Sequence, residues 1–116
     1  MRALNGFSEV YLHTGVSDMR LGMDRLSEKI RDELKKNPLA GGIYVFLSRC
    51  RRKVKLLYWD ADGYAVWMKR LEAGVFQIEK RDGYEQVTGV ELQKLLSGVE
   101  LSRIKLRRQV KEELCS

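Results

Sequence analysis

The chain holds one histidine, one proline and two cysteines, and each scarcity closes off some chemistry. A single imidazole excludes sites built on paired histidines. Cys50 and Cys115 stand far apart and form no C-x-x-C pair. Two thiols and one imidazole fall short of a four-ligand zinc set without carboxylate help, so no metal and no cofactor are expected. Thiols this sparse suit a reducing cytoplasm, the expected location. Residues 1–10 contain no apolar run of signal-peptide length, and no stretch approaches the ~18 apolar residues of a membrane span. A soluble chain without a membrane partner is the expectation. An acidic excess is also missing: 22 Lys and Arg stand against 16 Asp and Glu, a net charge of +6. That balance favours a polyanionic partner. The 116 residues are one domain's worth, and 44% hydrophobic with 33% charged is globular rather than disordered composition.

What is present reads as alternating strand and helix signals. Residues 9–13 alternate weakly, as a short strand would, and Thr14-Gly15-Val16-Ser17 breaks them. Ser17 with Asp18 behind it has the chemistry of a helix start. Met19, Met23, Leu26, Ile30 and Leu34 then recur at helical spacing, predicting one long helix that Asn37-Pro38 and Gly41-Gly42 end. Three runs rich in β-branched and aromatic residues follow, at 43–48, 54–59 and 64–69. Their connections are a basic loop over 49–53 and the turn Asp60-Ala61-Asp62-Gly63. A fourth run, 75–80, turns at Asp82-Gly83 towards 84–87. Thr88-Gly89-Val90-Glu91 has the capping-box pattern and opens a short helix through Leu92, Leu95 and Leu96, stopped by Gly98. The expected fold class is α+β: an antiparallel β-sheet meander with one long helix packed on it and a short C-terminal helix. The domain spans 1–101, followed by a basic tail over 102–116 that reads equally as strand or helix.

Tight loops fix an approximate register. With the loops as drawn, Trp59 faces Tyr64 across one hairpin and Ile43 across the other. One face then collects Ile43, Val45, Leu47, Leu57, Trp59, Tyr64, Val66 and Met68, and its aliphatic character suits the helix. The other collects Tyr44, Phe46, Val54, Leu56, Tyr58, Ala65 and Trp67. Tyr44, Phe46, Tyr58 and Trp67 are therefore candidates for base stacking or for an interface, against the plainer reading that another element or a partner subunit covers them. A one-residue slip would exchange the faces.

The same register gathers charge. The loop carries Arg49, Arg51, Arg52 and Lys53, and the next strand ends beside it with Lys69 opposite Val54 and Arg70 opposite Lys53. Residues 49–82 hold nine basic and five acidic side chains, +4 of the net +6. These six residues are the candidate nucleic-acid-binding set, since converging Lys and Arg are what phosphates need. A solvated hairpin tip, kept charged to discourage edge pairing, is the alternative.

Several runs in order resemble a known family. They are Val10-Tyr11-Leu12-His13-Thr14-Gly15-Val16-Ser17-Asp18-Met19-Arg20, then Asn37-Pro38-Leu39-Ala40-Gly41, then Lys55-Leu56-Leu57-Tyr58-Trp59-Asp60-Ala61-Asp62-Gly63. Lys69-Arg70-Leu71-Glu72-Ala73-Gly74-Val75-Phe76 and Leu95-Leu96-Ser97-Gly98-Val99 complete the pattern. Together they resemble the small second-open-reading-frame protein of the insertion sequence 66 type, often called TnpB and unrelated to the RNA-guided nucleases that share that label. The resemblance covers residues 9–101. It implies a non-catalytic accessory factor of DNA transposition, with transposon-end DNA, the cognate transposase and other element-encoded proteins as partners.

No catalytic constellation stands out in the residues themselves. Asp60 and Asp62 with Glu72 invite a metal-nuclease reading, but Asp-x-Asp-Gly between two strands is chiefly hairpin chemistry, and an EF-hand would need different residues at Tyr64, Ala65 and Leu71. His13 has Ser8, Ser17 and Cys50 as conceivable partners without a nucleophile motif, and Gly41-Gly42 lacks the Lys-Ser/Thr of a P-loop. A DNA-contacting module and a protein-bridging module without DNA contact are the two expected kinds of function, ahead of a metal-dependent nuclease.

Overall fold

The computed structural model describes residues 9–77 and 83–97. In chain order the elements are β1 (Val10–Val16), α1 (Met23–Leu34), β2 (Ile43–Leu47), β3 (Lys53–Asp60), β4 (Gly63–Arg70), β5 (Tyr84–Val87) and α2 (Gly89–Ser97). The strands form one sheet in the order β4-β3-β2-β1-β5. β2, β3 and β4 pair antiparallel through their hairpins, but β1 lies parallel to β2. The sheet is therefore mixed, which corrects the expected antiparallel meander. A parallel pair cannot be closed by a tight turn, so its connection must cross a face of the sheet. Here the crossover carries α1 and a single 3-10 turn, Pro38–Ala40, where the Asn37 side chain accepts from the Leu39 N–H.

The expected long helix is also corrected. α1 has 12 residues and α2 has 9. α1 starts after Gly22 and not at Ser17. Ser17 is occupied elsewhere, its N–H donating to Leu47 O at 3.0 Å and its hydroxyl bonded to His13. The intervening segment folds as a turn instead, with Leu21 N–H donating to Asp18 O and Arg20 forked onto the Asp18 carboxylate. Lys35, in the left-handed conformation at φ 59°, closes the helix.

Both faces of the sheet are covered. On one, Leu26 and Ile30 of α1 pack on Tyr11, Tyr44, Phe46 and Leu57. On the other, Leu71, Phe76, Leu92 and Leu96 pack on Val10, Leu12, Val45, Val54, Leu56 and Tyr58. All five residues of β2 are buried, as its central place with two covered faces requires. The reciprocal capping box of α2 forms as expected, Glu91 N–H to Thr88 Oγ1 at 3.0 Å and Thr88 N–H to Glu91 Oε1 at 2.9 Å.

The β3–β4 register follows the expectation, with Trp59 opposite Tyr64 and Arg70 opposite Lys53. The β2–β3 register is one residue off, pairing Ile43 with Tyr58. Ser48 causes the difference. Its N–H donates to Lys53 O and its Oγ accepts from Lys53 N–H, both at 3.0 Å, so the loop closes over residues 49–52 and Lys53 joins the strand. The slip exchanges the faces of β2 relative to β3 and β4. Tyr44 and Phe46 consequently sit with Leu57 under α1, while Ile43, Val45 and Leu47 face α2. The expected strand at 75–80 is not formed over 75–77, and 78–80 lie outside the described residues. Asp82, Gly98, Cys115 and the tail 102–116 also lie outside them.

Candidate functional site

The basic residues gather at the end of the sheet where β2 leaves for β3 and where β4 stops. Their side chains divide by role. Arg51 is 7% exposed and adopts φ 64° in the loop, with its N–H donating to Ser48 O. Its Nη2 donates to Thr14 O at 3.2 Å, inside the irregular stretch of β1 where the pairing with β2 shifts between His13 and Val16. Its Nη1 is buried without a hydrogen-bond partner among the described residues. Burial lowers the Arg51 pKa, but a guanidinium stays charged in proteins. Arg52 is half-buried, with Nη2 3.4 Å from Leu71 O and its own carbonyl accepting from Leu71 N–H. Lys69 donates through Nζ to Leu96 O at 2.8 Å, a cation on the last turn of α2 where free carbonyls and the helix dipole favour one.

Arg49, Lys53 and Arg70 are the members that reach outward. Arg49 and Arg70 are exposed and Lys53 is half-buried. Arg70 shares Glu72 at 3.0 Å, and it stands directly across from Lys53. Like charges opposite one another on a sheet repel, and the Glu72 carboxylate held by Arg70 offsets part of that repulsion. The pleat places Lys55 on the same face as Lys53, and its Nζ holds Leu21 O at 2.9 Å. Lys55 also helps Arg20 hold the Asp18 carboxyl down at about 2, the Arg20 hydrogen bond being the larger cause. Lys55 and Arg20 were not among the residues expected from sequence, although the i, i+2 spacing of Lys53 and Lys55 places them on one face.

The four aromatic candidates do not share a surface. Tyr44 and Phe46 lie buried beneath α1, with Tyr11 stacked on Tyr44 at 5.5 Å between ring centroids. Burial pushes the Tyr44 hydroxyl up to about 12. Tyr58 is buried on the opposite face, and Trp67, partly buried, packs against the same cluster. The single histidine sits in a polar cluster at the other end of α1. His13 Nδ1 bonds Ser17 Oγ at 2.9 Å, and Nε2 lies 3.7 Å from Glu33 Oε1. Glu33 also accepts from Tyr84 Oη at 3.0 Å and Lys29 Nζ at 2.8 Å. Ser17, one of the partners the sequence offered, bonds His13 and both are buried, while Ser8 lies outside the described residues. Asp60 and Asp62 occupy the tight β3–β4 turn, and the described residues contain no group of three or more His, Cys, Asp or Glu able to hold a metal. No described helix is long and apolar enough to cross a membrane.

The sequence pattern of IS66 Orf2-like proteins matches residues 8–106. The chain belongs to that family. Two uncharacterized proteins of Sinorhizobium fredii are similar to this IS66 Orf2-like protein. One, y4hO, is 34% identical over 92 residues, covering 78% of this chain and 80% of its own. The other, y4jC, is 32% identical over 95 residues, covering 81% and 80%. No solved structure matches the chain.

Proposed function

We propose that this IS66 Orf2-like protein is a non-catalytic accessory of insertion-sequence transposition that contacts DNA phosphates with the basic end of its sheet. Family membership supports the transposition role. The observation that carries the DNA contact is the cross-strand pairing of Lys53 with Arg70 beside the exposed Arg49. Two cations paired across the strands, one of them also holding Glu72, form a site whose repulsion a phosphate relieves. Arg51 and Lys69 contribute indirectly, one by holding the loop to β1 and the other by holding β4 to α2. Cognate transposase and other element-encoded proteins are the further partners in this reading.

The test is binding of a labelled duplex carrying a transposon end, at low salt, by the wild-type chain and by the Arg49→Glu/Lys53→Glu/Arg70→Glu variant. For every phosphate that the protein stops neutralising, the slope of log affinity against log salt becomes shallower by about 0.9. The variant is expected to neutralise about two to three fewer phosphates than the wild type. A bridging role without DNA contact is the reading that survives if the wild type does not bind.

A further inference from the structure

We propose that β4 is a pairing edge, and that a second copy of this chain adds its own β4 antiparallel, making one sheet continuous across a two-fold axis. The two outer strands of the sheet are β4 and β5. β5 is four residues long and carries Glu85 and Gln86, so it is short and polar. β4 is eight residues long, and its middle reads Tyr64-Ala65-Val66-Trp67-Met68 without a charge, proline or bulge. Proteins blunt solitary edges with those devices, and β4 bears charge only at its end. Met68 is 50% exposed there.

The backbone phase is set by Leu71 N–H, which donates to Arg52 O at 2.8 Å. Bonded pairs recur every second residue in an antiparallel ladder, so 54/69, 56/67 and 58/65 bond inward. Tyr64, Val66, Met68 and Arg70 therefore turn their N–H and C=O groups away from β3, and no described strand pairs with them there. A two-fold perpendicular to the sheet must set one residue opposite its own copy, because directly opposed side chains share a face. Centring on Val66 sets Tyr64 against Met68 of the second copy, covering its exposed thioether, and sets Asp62 against Arg70. Centring on Trp67 sets Asp62 against Glu72, two like charges. Centring on Ala65 also sets opposite charges together, Asp60 against Arg70, but places the exposed Met68 against Asp62. Charge thus favours the second copy as occupant, and cover for Met68 selects Val66 as the centre. The acidic turn that starts β4 and the basic end that closes it are complementary only when the strand meets itself reversed. This inference does not depend on DNA binding.

The experiment is sedimentation equilibrium of the full chain without DNA, across a concentration series at low salt. A monomer–dimer equilibrium is expected. Val66→Pro removes an outward N–H and no bond to β3, at the cost of some packing against the α1-side core, so it is expected to give a monomer that is less stable but whose circular dichroism matches the wild type. Asp62→Lys and Arg70→Asp each turn two symmetry-related attractions into repulsions and are expected to weaken the dimer about tenfold. Combined, the two reversals restore it. A wild-type chain that stays monomeric throughout overturns the proposal, as it would if residues 98–116 or a different protein took the edge. So does a dimer indifferent to Val66→Pro, or one that the double reversal fails to restore relative to the two single variants.

Discussion

Arg51 and His13 show how a polar side chain can carry structure where its type suggests chemistry. Arg51 sits in a run of basic residues, yet its guanidinium is buried on Thr14 O. Removing it deletes a charged hydrogen bond and leaves packing unfilled. Arg51→Met is expected to lower stability by about 1.5–3 kcal/mol in denaturant unfolding. His13 is held neutral chiefly by burial, with the Lys29 charge acting the same way and Glu33 opposing. Its pKa in the folded state lies below the ordinary value of 6.5. Between those two values the unfolded chain binds the proton and the folded chain does not. Stability is therefore full above pH 6.5 and falls as pH drops towards the folded pKa, where the slope levels. Thermal unfolding of His13→Gln across that window is expected to lose this dependence. Glu33 adds a second, lower window. Desolvation pushes its carboxyl up, but bonds from Lys29 and Tyr84 outweigh it and set the pKa below normal. Its contribution is present above the usual carboxylate range and lost as pH falls through the folded value.

At the scale of elements, what was legible followed from local chemistry, and what was not followed from competition between local and distant bonds. Thr88 and Glu91 announce α2 because the capping box is complete within four residues. Thr88→Ala is expected to cost about 1 kcal/mol in chemical denaturation. The β3–β4 turn is equally local. Ala61 there holds φ 59°, a conformation costly for any side chain, so Ala61→Gly is expected to raise stability by up to about 1 kcal/mol. Ser17 misled because a good N-cap residue was taken by His13, a partner that only the folded strand supplies. The β2–β3 slip has a different origin. Both faces of β2 are apolar, so the hydrophobic pattern does not penalise a shift by one residue. Ser48, closing the loop with its own hydroxyl, decided the register. That one residue moved Tyr44 and Phe46 beneath α1, apart from Tyr58 and Trp67 on the other face. The parallel pairing of β1 with β2 was hidden for a related reason: nothing within β1 encodes which strand it meets.

For the whole molecule, the net charge of +6 is real in the sequence but unevenly useful on the surface. The cross-strand placement of Lys53 against Arg70 was readable from the hairpin. The inward turn of Arg51 and the anchoring of Lys69 on α2 were not, since each depends on elements distant in sequence. Lys55 shares a face with Lys53, as their i, i+2 spacing allows, but is bonded to Leu21 O, and Arg20 is paired with Asp18. Cations that build the fold, such as Arg51 and Lys69, are thus distinct from those that stay exposed, Arg49 and Arg70. The most direct measurement is duplex binding at several salt concentrations, comparing Arg49→Glu/Lys53→Glu/Arg70→Glu with the wild type, both verified as folded. Wild-type binding that weakens steeply with salt, and a variant with a slope shallower by about 2 to 3, is the predicted result. A wild-type chain that binds no duplex at low salt, or a folded variant that binds as the wild type does, would contradict it.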